Sequence, residues 1–141
     1  MSTASESTSD PTSDSASDSV RARLAMVTLD CADPGPVSAF YAELLGLDVA
    51  YSDENAVMLS GAAGPAIGFG KVPDYEPPAW PNPNGSKQYH FDLAVPDLEA
   101  AEARCLELGA TLADPQPGET WRVLLDPAGH PFCLTNAANW G

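Results

Sequence analysis

Two stretches of this chain follow one plan, and that repetition constrains the fold more than any single motif does. Leu24 to Gly46 reads as an apolar strand, an Asp-led turn and a helix closing on Leu-Gly, and Tyr89 to Gly109 reads the same way. A constant offset places Met26 on His90, Cys31 on Val95 and Asp33 on Asp97. Each copy then continues into three further short apolar segments. In the first these are 47–51, 56–60 and 66–72, separated by turn residues at Asp53-Glu54-Asn55 and around Gly61 to Pro65. In the second they are 110–113, 120–125 and 130–135, the last two joined by Asp126-Pro127-Ala128-Gly129, in which Pro presets its own φ and Gly accepts a positive one. The order strand, helix, three strands therefore occurs twice. Such a unit cannot bury its own sheet face, so two copies are expected to pack around a shared cavity.

The 141 residues suffice for one domain with a real core but not for two independent ones, so the modules should depend on each other. The expected layout is a tail at 1–20 and a single domain at 21–137, with module one at 23–72, a connector at 73–88 and module two at 89–136. The tail is rich in Ser and Asp and holds no aromatic or large aliphatic residue between Met1 and Val20. It cannot offset its ordering entropy by burial, and it is expected to be disordered. It lacks the basic start and apolar stretch of a signal peptide, and no run approaches a membrane span, so a cytoplasmic location is expected. Twenty Asp and Glu against six Lys and Arg give a net charge of −14, with the basic residues scattered. That excludes nucleic acid and anionic membrane as partners. The three cysteines sit in predicted strands or a helix without paired spacing, which reads as reduced thiols.

Side chains alternate faces along a strand, so parity decides which residues look into the cavity. In the first strand Val27, Leu29 and Cys31 form the apolar set for the helix side, leaving Met26, Thr28 and Asp30 for the cavity. In its counterpart Phe91, Leu93 and Val95 take the helix side, leaving His90, Asp92 and Ala94. If Trp121 enters the core between sheet and helix, Arg122 reaches the cavity and pairs with an anionic ligand or with Asp92. His130, following Gly129 in a hairpin turn, is expected at the solvent surface. Trp80 and Tyr75, on the Pro-rich connector, are suited to a lid over the cavity mouth.

The paired modules, with Phe40-Tyr41 through Leu45-Gly46 in the first helix and Asp126-Pro127-Ala128-Gly129-His130-Pro131-Phe132 near the end, resemble the vicinal oxygen chelate superfamily. Within it the chain is similar to the glyoxalase-like and bleomycin-resistance-like members, over about 23–136. The resemblance implies an α+β fold of two tandem βαβββ modules, forming a curved, cup-shaped mixed sheet with helices on its outer face. It does not fix the function, because the scaffold hosts isomerases, ring-cleaving dioxygenases, epimerases, thiol transferases and antibiotic-sequestering proteins. Homodimers are frequent among such proteins, and a homodimer is compatible with this chain.

Carried over residue by residue, the superfamily's metal pattern falls on Met26, on Gly68 or Gly70, on His90 and on Cys133. Only His90 keeps a usual ligand. A hard octahedral cation needs oxygen and nitrogen donors that a thioether and a glycine do not supply, so no cofactor is expected, and any metal would rest on His90 and Cys133. Ligand-binding candidates are then Met26, Thr28, Asp30, Trp80, Arg122 and Cys133, with His90 as a candidate base oriented by Asp92. Two function classes stay open. One is a metal-free binder that sequesters a small molecule in the cup. The other is a lyase or isomerase using His90, with a metal-dependent enzyme of atypical ligand set as the alternative.

Overall fold

The computed structural model describes residues 21, 23–61, 64–79 and 89–140. The tail at 1–20, whose disorder was expected, and Trp80 of the proposed lid lie outside them. Module one consists of β1 (Met26–Cys31), α1 (Pro34–Leu45), β2 (Asp48–Ser52), β3 (Ala56–Ser60) and β4 (Ala66–Lys71). Module two repeats the order with β5 (Phe91–Val95), α2 (Leu98–Glu107), β6 (Thr111–Leu112), β7 (Trp121–Leu125) and β8 (Pro131–Asn136), followed by a 3-10 turn at Ala137–Trp140. Two four-stranded mixed sheets result, ordered β1-β4-β3-β2 and β5-β8-β7-β6. In each, the first strand lies parallel to the last, with Thr28 opposite Gly68 and Asp92 opposite Cys133. Both first strands are thus sheet edges.

The repeat is written in caps as well as in strands. Asp33 precedes α1 and its carboxylate accepts from the Gly35 amide at 3.0 Å, with Pro34 opening the helix where a missing N–H costs nothing. Asp97 does the same for α2, accepting from the Ala100 amide at 3.2 Å. Gly46 ends α1 in the left-handed conformation, at φ 67°, which a residue with a Cβ adopts at a cost. Helix α1 buries Val37, Phe40 and Tyr41 on one stripe, and α2 turns Leu98, Ala101, Cys105 and Leu108 toward the same core.

One core serves both modules. Tyr41 of α1 stacks on Phe69 at 5.7 Å and meets Phe91 edge-on at 5.6 Å, while Phe40 lies 5.8 Å from Phe132. Three of those five rings belong to module one and two to module two. A hydrogen bond crosses the same seam: the Tyr41 hydroxyl donates to Asp126 Oδ2 at 2.7 Å, both groups being buried. Asp126 also receives the amides of Ala128 at 2.8 Å and His130 at 3.0 Å on its other oxygen, so one carboxylate holds a turn together and ties it to the opposite helix.

Cys31, Cys105 and Cys133 are buried, and none is in a disulfide. Burial, with the Glu102 charge adding to it, pushes the Cys105 thiol up from an ordinary 9.0 to about 11. Burial also raises Cys31, reinforced by Asp33, Asp30 and Asp126. A raised value in the folded state means that folding favours the protonated form. The stability this gives is complete below about pH 9 and is lost as pH climbs through the folded values. Denaturation at increasing pH is therefore expected to show stability falling between about pH 9 and 11, with a shallower fall in Cys105→Ala. An unchanged slope in that variant would assign the loss to other groups.

Candidate functional site

Edge strands β1 and β5 flank a cleft of about 620 Å³ between the modules. Met26, Thr28 and Asp30 line it from β1, His90 and Phe91 from the start of β5, and His130 and Pro131 from the start of β8. Leu24 and Tyr89 add exposed apolar surface. Burial alternates along β1 and β5 in the phase that the sequence dictates: Val27, Leu29 and Cys31 turn inward, and Met26, Thr28 and Asp30 outward.

A second concavity of about 290 Å³ lies on the open face of module two. His90 belongs to its wall as well, with Asp92, Cys133, Trp121, Thr120, Thr135, Asn139 and Trp140. His90 Nε2 stands 3.4 Å from Asp92 Oδ1. Two residues along one strand face, the pair was not bound to meet, yet it does. The other ring nitrogen, Nδ1, is buried without a hydrogen-bond partner. One imidazole nitrogen, an Asp92 oxygen and Cys133 Sγ all lie within 4.8 Å of one another.

Residues that sequence reasoning passed over also shape this concavity, Trp140 in its wall and Gln116 and Gly118 outside it. Gln116 donates to the carbonyls of Ala113 and Val123 at 2.8 Å each and accepts from the Val123 amide at 2.9 Å, standing in for a strand beside β7. Beside it the Trp121 ring packs over Gly118: a Cβ there would fall 2.2 Å from the indole Cη2. Trp140 donates its indole N–H to Thr135 Oγ1 at 3.2 Å, closing the far side with the terminal 3-10 turn. A tryptophan past the last strand, with no core left to fill, was the signal available in the sequence.

Arg122 is a correction. It does not enter the cup: its Nε pairs with Glu102 Oε1 of α2 at 3.2 Å, on the face where Leu124 and Leu134 join the core. Trp121, Val123 and Cys133 pack on the opposite, cup face instead. Both parities of β7 carry apolar residues, and a long arginine stem can lie along a helix while its head stays wet, so the strand settled the other way round. His130 is a second correction. Half-buried, it lies 2.7 Å from the Asp30 carbonyl and 3.2 Å from the Tyr75 hydroxyl, which itself donates to the Ala128 carbonyl at 2.7 Å. The carbonyl can only accept, so His130 Nε2 carries the proton. Tyr75 is thereby fastened to the module-two turn rather than free to swing as a lid.

Gly129 makes that fastening possible. Its φ is 89°, and a Cβ there would sit 2.5 Å from Pro77 Cβ. Gly129→Ala is expected to cost about 2 kcal/mol or more, read from thermal unfolding, because strain and overlap add. A variant as stable as the parent would mean that the Pro77 segment yields freely.

The superfamily's hard-metal site does not fit these residues. Gly68 offers no donor, and a Cβ built on it would meet Met26 Sδ at 3.0 Å and Thr28 Oγ1 at 3.2 Å, so the space for a carboxylate at that position is already filled. Among the described residues the His, Cys, Asp and Glu side chains close enough to share an ion are His90, Asp92 and Cys133, all from module two.

Two βαβββ modules facing each other across a cleft define the vicinal oxygen chelate fold. The sequence profile of the glyoxalase-like domain matches residues 26–135, and the chain belongs to that family. No curated protein matches it significantly. Among solved structures it is similar to a glyoxalase/bleomycin resistance protein/dioxygenase family enzyme from Burkholderia phytofirmans (18% identity, TM-score 0.63, 82% of this chain and 99% of that one). It is also similar to a lactoylglutathione lyase from Agrobacterium tumefaciens (16%, 0.56, 86% and 98%). A third is the bleomycin-binding protein of Streptomyces verticillus, solved with copper(II)-bleomycin (14%, 0.51, 83% and 98%). At such identities the likeness is one of fold.

Proposed function

We propose that this protein captures a small organic molecule, neutral or cationic and partly aromatic, in the cleft between its modules, without the octahedral metal of its metalloenzyme relatives. The cleft itself carries the reading. It is large enough for a drug-sized ligand, and its lining combines Met26, Phe91, Tyr89 and Leu24 with a few polar groups, Thr28, Asp30, His90 and His130. No lysine or arginine lines it among the described residues, so an anionic substrate would find no counter-charge. The bleomycin-binding protein of similar fold, solved with copper(II)-bleomycin, supports a binding role for such a scaffold.

A thermal-shift screen against aromatic amines, cationic antibiotics and 2-oxo compounds tests the reading. A ligand at 100 times its Kd stabilises by about 2.7 kcal/mol. Thr28→Trp, at an exposed position pointing into the cleft, is expected to abolish the shift while leaving the unliganded melting point in place. Hits that shift the variant as much as the parent would move the binding site elsewhere. The His90–Asp92 contact supports a second reading, a lyase or isomerase in which His90 removes a proton next to a carbonyl and Asp92 holds the ring. Turnover of a hit that vanishes in His90→Ala, with binding retained, would select it.

A further inference from the structure

We infer that the molecule taken by the cleft between the modules is a short extended peptide, alternately apolar and basic, which adds to the free edge of β1 as a further strand. This rests on the reading of that cleft as the binding site and names the class of ligand that fits it. The edge carries the inference. β1 and β5 flank the cleft yet belong to separate sheets, so among the described residues no strand lies beside β1 on the side away from β4. Successive residues of a strand in a parallel ladder send their N–H and C=O groups to alternate sides. The Ala25 and Cys31 carbonyls accept from the amides of Ala66 and Val72 at 3.0 and 2.9 Å, which gives the odd-numbered residues to the β4 side. Met26, Thr28 and Asp30 therefore turn their main chain to the cleft. The Asp30 carbonyl bears this out, meeting His130 Nε2 on that side at 2.7 Å.

Both main-chain groups of Met26, both of Thr28 and the amide of Asp30 are left on that edge, and among the described residues no main-chain hydrogen bond reaches them. Donors and acceptors interleaved in this way are what the amides of an added strand pair with, whereas a ligand without repeating amides leaves most of them unmade. Every residue from Met26 to Asp30 lines the cleft, about 13 Å of edge at ~3.3 Å per residue, room for about four or five residues of an added strand. The walls then select its side chains. Alternate residues of the strand point toward Tyr41 and Phe91, beside Val27 and Leu29, or toward the side where the Thr28 and Asp30 side chains stand. The first set meets apolar surface. The second meets a carboxylate with no lysine or arginine in the lining among the described residues, which favours a basic side chain. A basic peptide also suits a chain of net charge −14, and a second copy, equally acidic, does not.

The probe is an acetylated, amidated pentapeptide, Val-Lys-Phe-Lys-Val, titrated calorimetrically into the full chain beside two N-methylated forms. One form is methylated at the Val and Phe nitrogens and the other at the two Lys nitrogens. In an added strand only one of those sets faces β1. The expected result is one peptide per chain, a loss of at least about tenfold in one methylated form, and binding retained in the other. Thr28→Pro removes an N–H of the free edge without touching the β4 ladder, a change that edge strands tolerate, and should weaken the peptide by a like factor with circular dichroism unchanged. Should that variant unfold, the two methylated peptides still decide. Full binding of both methylated forms, as charge attraction alone would give, overturns the inference. So does a dimer of the unliganded chain that Thr28→Pro dissociates, because a second copy then holds the edge. If non-peptidic amines shift the melting point and lose that shift in Thr28→Trp, while the peptide does not bind, the peptide is overturned and the reading of the cleft survives. Failure of the amines and the peptide alike overturns both.

Discussion

Replacing Asp126 with alanine is expected to lower the unfolding free energy by about 3–5 kcal/mol, as read from urea denaturation. The carboxylate is 4% exposed and accepts three hydrogen bonds, from the Tyr41 hydroxyl and from the amides of Ala128 and His130. Removing it strands a buried phenol and two buried or half-buried amides at once. Asp126→Asn keeps one acceptor oxygen and much of the shape, so it should cost about half as much. Burial first, and then the Asp126 carboxylate, hold the Tyr41 hydroxyl far above the usual phenol range, so it remains a donor at any pH at which the protein is folded. A loss under about 1 kcal/mol in Asp126→Ala would mean that water replaces the carboxylate and that this link is not what joins the modules.

Phe132→Ala should cost a comparable amount, about 3–5 kcal/mol. Its ring is wholly buried, 5.8 Å from Phe40 and 6.2 Å from Tyr41, so the substitution opens a void on the seam between α1 and β8. Because Phe132 and Asp126 both act on Tyr41, the double variant should lose less than the sum of the singles, a non-additivity that urea titration of the parent and the three variants measures. Strict additivity would describe two independent modules, each with its own core. The shared aromatic cluster and the clamp instead describe halves that fold together.

The parts of this architecture legible in the sequence are those where neighbouring signals agree. Asp33 and Asp97 both cap helices, and β1 and β5 each keep one unbroken apolar parity, so the repeat and the outward parity of Met26, Thr28, Asp30 and Asp92 could be read directly, whereas their division between two concavities, with Asp92 outside the cleft between the modules, could not. Strand ends were less legible. The apolar run of module one begins at Leu24, but β1 has a register partner only from Met26, opposite Ala66. Arg122 was misplaced because Trp121, Val123, Leu124 and Leu125 make both faces of β7 apolar, and only packing against α2 decides between them. His130 was misplaced because a turn residue is ordinarily wet, whereas this turn is folded onto the end of β1 by contacts distant in sequence, Asp30 and Tyr75. The closeness of Cys133 to Asp92 depended on strand register, which alternation alone does not give.

Gly118 has a consequence for how the protein can diversify. Nothing places it in the wall of the cup, yet its missing side chain is what lets the Trp121 indole lie where it does. Any larger residue at 118 must push that rigid ring aside and so redraw the cup without altering a group that touches its contents. The shape of that concavity can therefore drift through this one peripheral glycine, leaving His90, Asp92 and Cys133 untouched and the cleft between the modules unchanged.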